Sequence, residues 1–211
     1  MSVLTEISTF LQQGKAAVVK ELVAKALQEG LTAQEILSDG LLAGMGVIGA
    51  KFKNNEVYVP EVLIAARAMN AGMEVLKPVL VSSDTASKGK VILGTVKGDL
   101  HDIGKNLVKI MLEGKGLQVI DLGTDVAPQA FVDAAIKENA NIIACSALLT
   151  TTMIVMKDVV KEAEVRGIKG KVKIMVGGAP VTQNYCDTIG ADYYTSDAAS
   201  AADVAYNICQ G

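Results

Sequence analysis

Val91-Ile-Leu-Gly-Thr-Val-Lys-Gly-Asp-Leu-His-Asp-Ile-Gly-Lys-Asn106 joins three signals without a break. An apolar, β-branched run comes first, then a polar turn holding Gly98 and Gly104, then the start of a stretch with helical apolar spacing. That order reads as strand, loop, helix. Four more short runs of the first kind follow, at Gln118 to Leu122, Ile142 to Ser146, Val172 to Val176 and Asp192 to Thr195. Helical stretches near 103–113, 127–138, 153–165 and 180–188 alternate with them, and a last one begins after Asp197. Such alternation predicts a parallel sheet covered on both faces. Five strands fit an α/β flavodoxin-like (Rossmann-like) domain, which binds ligands beyond the carboxyl ends of its strands.

Toward the N-terminus the period changes. Leu4, Ile7, Phe10 and Leu11, then Val18, Val19, Leu22, Val23, Ala26 and Leu27, recur at helical spacing, and Gly14 and Gly30 stand where these two helices should stop. Thr32-Ala-Gln-Glu35 has the form of a capping box opening a third helix, with Ile36, Leu37, Leu41, Leu42, Met45, Ile48 and Phe52 on its apolar face and Asn54-Asn55 at its end. Pro60 suits the first turn of a fourth, where its missing amide proton costs nothing. We therefore expect an all-α four-helix bundle over residues 1–82, a polar linker over 83–89 and the α/β domain over 90–211.

Composition narrows the chemistry. The 211 residues carry a net charge of −3 and no basic stripe, so no electrostatic footprint for nucleic acid is present. Charged residues interrupt every stretch before about 18 apolar residues accumulate, so no membrane-spanning helix is expected. The first residues lack the features of a signal peptide, and a cytoplasmic location is the expectation. Three scattered cysteines form neither a disulfide framework nor a zinc pattern, and a single histidine excludes multi-histidine metal sites. Imidazole chemistry, if present, belongs to His101.

The loop from Lys97 to Gly104 is thus the first place to look for function. Asp99 and His101, two residues apart, are spaced so that the carboxylate can accept a proton from one ring nitrogen and leave the other free, which fixes the tautomer. Residue types alone leave open a solvated surface histidine or a phosphate-binding turn, although neither the P-loop nor the G-x-G-x-x-G pattern is present. Met69 and Met73 read as core, Cys145 as a buried apolar residue, and Cys186 and Cys209 have no evident partner.

Joint spacing is more specific. The D-x-H-x-x-G of Asp99 to Gly104 is followed after 41 residues by Ser146-Ala-Leu148, and after 28 more by Gly177-Gly178. These segments end the first, third and fourth expected strands, so all three can converge on one mouth. Over essentially its whole length the chain resembles the cobalamin-binding corrinoid proteins of methyltransferase systems, and is similar to the cap and cobalamin-binding modules of cobalamin-dependent methionine synthase.

The resemblance implies cobalamin or a related corrinoid bound base-off and His-on, with His101 as the axial ligand to cobalt and methylcobalamin as the loaded form. It implies that Asp99 receives the other imidazole proton and that Thr152, where methionine synthase has serine, continues the relay. Gly98, Leu100, Asp102, Ile103 and Gly104 complete the histidine loop. Ser146, Leu148, Thr150, Gly177, Gly178 and Ala198 match positions lining the slot for the nucleotide tail, and Ser146 is placed to donate to the free benzimidazole nitrogen. In the helical half, Phe52, Val59, Val62 and Leu63 match segments of a cap facing the corrin. The implied role is that of a methyl carrier, not catalytic by itself, in one-carbon metabolism. Its partners would be a substrate-specific methyltransferase, a methyl-acceptor methyltransferase serving tetrahydrofolate or coenzyme M, and a reductive activator protein. The methyl donor is left open among methanol, methylamines, quaternary amines, thiols and aryl methyl ethers. The alternatives are a cobalamin-binding sensor or regulatory module, for which no basic recognition helix is evident, and a flavin or phosphate binder, which would not explain the spacing.

Overall fold

The computed structural model describes residues 2–82 and 88–210. The chain divides into two compact units, Met1–Ala86 and Ser87–Gly211. Most of the expected linker, residues 83–87, lies outside the described residues.

The first unit is helical. Helix α1 (Val3–Gln12) starts under the Ser2 hydroxyl, which accepts from the Thr5 amide, and buries Ile7 and Leu11. Gly14 follows at φ +69°, where a β-carbon would also stand 2.7 Å from Ile64 Cγ2. Helix α2 (Ala16–Gln28) buries Val19, Val23 and Ala26 and ends before Gly30, at φ +88°. The capping box forms as read: Thr32 Oγ1 accepts from the Glu35 amide at 3.2 Å, and Glu35 Oε2 accepts from the Thr32 amide at 2.9 Å.

The helix opened by that box is not regular, as its periodicity had implied. It runs as α3 (Ala33–Glu35), a π-helical segment (Ile36–Leu42) and α4 (Ala43–Lys53). Gly40, without a β-carbon to resist rewinding, lies within the wide segment and packs against Ile7 of α1. Asn55, at φ +58°, turns the chain into α5 (Val59–Ser82), with Pro60 in its first turn.

The second unit alternates strand and helix: β1 (Lys90–Thr95), α6 (Ile103–Glu113), β2 (Gln118–Asp121), α7 (Pro128–Glu138), β3 (Ile142–Ser146), α8 (Ile154–Val165), β4 (Lys173–Gly177), α9 (Gln183–Ile189), β5 (Tyr193–Tyr194) and α10 (Ala198–Gln210). All pairs are parallel and the strand order is β2-β1-β3-β4-β5, the flavodoxin-like order. β5 is shorter than its sequence run, and Asp192, just before it, accepts from the Ile174 amide at 2.8 Å and from Lys169 at 3.0 Å. No helix among the described residues is long and apolar enough to cross a membrane.

The two faces of this sheet differ. Ile92, Ile143, Cys145, Ile174 and Val176 alternate onto one face and interlock with Phe131, Met156, Val159 and Cys186 of α7, α8 and α9. Gly94 belongs to that face, and a β-carbon there would stand 2.8 Å from the Phe131 ring and 3.2 Å from Val126 Cγ2. The opposite face, under α6 and α10, is not filled. Gly94→Ala should therefore destabilise the second unit by about 1–3 kcal/mol through overpacking, and Phe131→Leu in the same chain should restore part of the loss. Urea denaturation of both variants checks this; an unchanged midpoint for Gly94→Ala contradicts it.

Candidate functional site: a histidine on a buried carboxylate beside a hollow sheet face

The loop between β1 and α6 is held at both ends. Thr95 Oγ1 donates to the His101 carbonyl at 2.7 Å, and the Gly98 amide donates to Asp125 Oδ1 at 2.7 Å. Gly98 has φ +83°, a conformation that favours glycine. Between these ties Asp99 turns inward and is fully buried, whereas the His101 side chain remains 54% exposed.

The Asp99 carboxylate meets five donors. Oδ1 accepts from the His101 amide at 3.0 Å and faces His101 Nδ1 at 3.0 Å. Oδ2 accepts from the amides of Leu148 at 2.8 Å and Leu149 at 3.2 Å, and from Thr152 Oγ1 at 2.9 Å. Burial by itself pushes this carboxyl toward the neutral form; the His101 and Leu148 amides, the imidazole and the threonine hydroxyl outweigh it and hold the group well below the usual carboxylate range. An ionised Asp99 claims the Nδ1 proton, which leaves the Nε2 lone pair as the ring's free ligand position.

Under the unfilled face of the sheet lies a cavity of about 300 Å³, bounded by β1, β3, β4, α6 and the start of α10. Ser146, Gly177, Gly178, Ala198 and Gly104 line it, so the structure brings these five expected residues together. A β-carbon at Gly177 would meet nothing in the protein closer than the Thr195 carbonyl at 3.7 Å, so packing within the chain does not require glycine there. Gly178 differs: at φ +130°, its β-carbon would run into the Ala147 carbonyl. Among the described residues, the Ser146 hydroxyl has no hydrogen-bond partner in the protein.

Other expected residues lie elsewhere. Leu148 (42% exposed) and Thr150 (exposed) sit on the loop after β3 and do not line the cavity; Leu148 serves the site through its amide. Leu100 and Ile103 are 74% and 78% exposed beside His101, and Asp102 accepts from Asn106 at 3.1 Å. In the helical unit Val62 is fully buried, Phe52 and Val59 are half-buried and Leu63 is exposed. Sequence reading missed Lys105. Its ammonium, buried at the cavity wall, contacts both Asp121 oxygens at 2.7 Å and Asn106 Oδ1 at 2.8 Å. An i-to-i+16 pairing has no local signature. Cys145 is buried, and burial pushes its thiol up to about 12, which keeps it protonated.

A parallel sheet with one oriented imidazole at its carboxyl edge, next to a hollow walled by small residues, has the form of a ligand-binding domain. Residues 89–204 match the model of the B12 binding domain, and residues 3–77 match a second B12 binding domain model. The chain belongs to this B12-binding family, among the corrinoid proteins, and its cofactor is a cobalamin-type corrinoid. It is 40% identical to Corrinoid protein DSY3155 of Desulfitobacterium hafniense (strain Y51), over 99% of this chain and 98% of that relative. With Trimethylamine corrinoid protein 1 of Methanosarcina mazei it shares 46% identity, over 87% of this chain and 85% of that one. Its structure resembles the methanol:cobalamin methyltransferase complex MtaBC from Methanosarcina barkeri, with a TM-score of 0.89 and 31% identity, covering 99% of this chain and 80% of that one.

The residues fit such a cofactor on the structure's own terms, because the free imidazole nitrogen, the unpartnered Ser146 hydroxyl and the space beside Gly177 occur together. Because Asp99 has a depressed native pKa, its contribution to stability is present above the ordinary carboxylate value of about 4 and is lost as pH falls below it. Asp99→Asn should cost on the order of 2 kcal/mol at pH 7 and flatten the acid limb of the stability profile. Denaturation of both proteins between pH 3 and 7 measures this; parallel curves contradict it.

Proposed function

We propose that this protein carries a methyl group on the cobalt of a corrinoid bound base-off and His-on. It would do so between a substrate-specific methyltransferase and a second methyltransferase that passes the group to tetrahydrofolate or coenzyme M. The observation that carries this reading is the orientation of His101 by the buried Asp99, on the loop that leads into Gly104 of the cavity lining. Relatives named for trimethylamine and dimethylamine, and the methanol complex, support a methyl-carrying role and a methyltransferase partner. A reductive activator belongs to the same proposal.

When bound, the corrinoid supplies a cobalt centre that accepts and gives up the methyl group. The chain's own residues supply position and proton control. Asp99 keeps Nδ1 protonated and Nε2 available as the axial donor. The same contact would keep the ring in one orientation and one tautomer whether or not Nε2 is engaged by the cofactor. Thr152 Oγ1 lies 2.9 Å from both Asp99 Oδ2 and the Leu149 carbonyl. Its single proton can serve only one of them, so its rotation adjusts how strongly Asp99 holds the ring proton. Ser146 would donate to the base in the cavity, and Gly177 leaves the space it occupies.

The match of residues 3–77 to a B12 binding domain model supports a share for the helical unit. Leu63, Phe52 and Val59 are its candidate contacts with the corrin, and Val62 would act through packing.

Titration of the apoprotein with cobalamin should give the visible spectrum of the base-off, His-on form, and His101→Ala should bind without that signature. A wild-type spectrum from His101→Ala overturns the axial assignment. Asp99→Asn and Thr152→Ala should each change the balance of His-on and His-off forms in those spectra; an unchanged balance in both excludes the relay.

A further inference from the structure

The cavity is polar at one end only, and its strand and helix directions show which end. β1 reaches the histidine loop at Thr95, so Val91, four residues earlier, lies about 13 Å below the mouth. α6 leaves the same loop at Ile103 and runs back, so Leu112, nine residues on, lies at a similar depth of about 13 Å. The polar lining residues, Ser146, Thr195, Ser196, Asp197 and Lys105, all stand at strand ends or in the first turn of α6. Below this collar the lining is hydrocarbon, with Ala144, Met175 and Val108 about halfway down and Val91 and Leu112 at the floor.

The backbone below the collar is committed as well. Val91 and Ala144 lie within the ladders joining β1, β3 and β4, and Val108 and Leu112 lie inside α6. Lys105 is no substitute donor, because Asp121 and Asn106 already engage its ammonium. A group reaching below the collar therefore finds shape and dispersion but, among the described residues, no hydrogen-bond partner.

We propose that this cavity selects among corrinoids by their lower base. It admits a base whose deep edge is hydrocarbon, such as a methylated benzimidazole, over one whose deep edge carries hydrogen-bonding groups, such as adenine. The inference rests on the reading that the base enters this cavity. Ser146 at the collar serves the ring nitrogen common to both kinds of base, so discrimination falls to the floor, where the adenine amine and ring nitrogens would be buried unpaired.

The test is titration of the full-length apoprotein with cobalamin, an adenine-bearing cobamide and cobinamide, which has no nucleotide tail. Cobalamin should bind tightest and the adenine-bearing cobamide at least about tenfold more weakly, the effect of one buried polar group left unpaired. Val108→Thr and Ala144→Ser, which add a hydroxyl to the hydrocarbon lining below the collar with little change of volume, should each narrow that gap while leaving cobinamide affinity unchanged. Circular dichroism identifies a misfolded variant, and either substitution suffices if the other does not fold. Equal binding of the two complete corrinoids, both tighter than cobinamide, overturns the selectivity and leaves the cavity assignment standing. Equal binding of all three overturns the cavity assignment and the selectivity with it.

Discussion

The carboxylate of Asp99 is the constraint on which the site depends. A buried charge is tolerated only when its oxygens are filled with donors, and here the donors come from both sides of the sheet's central crossover. His101 supplies an amide and a ring nitrogen from the loop after β1; Leu148, Leu149 and Thr152 supply two amides and a hydroxyl from the loop after β3. Satisfying the charge therefore pins the two loops together. The imidazole is oriented as a consequence, and its outer nitrogen is left facing outward.

The second determinant is the inequality of the sheet's two faces. One carries isoleucines, valines and Phe131 packed closely enough that Gly94 has no room for a β-carbon. The other carries Ala144, Ser146 and Gly177, and the helices above it contribute Gly104, Ala198 and Ala201. Small residues on facing elements leave volume that α6 and α10 do not close. One face is closely packed throughout, while the other buries Leu93, Met111 and Leu112 and still leaves a hollow beside its small residues.

Much of this was legible in the residues because it is local. Glycines at φ +69° and +88° end α1 and α2, and Thr32 and Glu35 cap the third helical run. Strand runs and their order of alternation are short-range patterns of the same kind. The π-helical segment at Ile36–Leu42 was not legible, since it reflects the close approach of Gly40 to Ile7 on another helix. Nor was the buried pair of Lys105 with Asp121, which joins α6 to the end of β2 and looks, residue by residue, like two solvated charges.

By itself the sequence determined the element types, the parallel α/β class, the single imidazole and the three motifs able to meet at one mouth, because periodicity, capping and spacing act over a few residues. Tertiary structure decided which groups meet. It placed Thr152 within reach of Asp99, left Leu148 to act through its amide instead of its side chain, and set a polar collar over a hydrocarbon floor. Those outcomes depend on how strands far apart in the chain align in register, and on the electrostatic demand of a buried charge, neither of which is encoded at any one position.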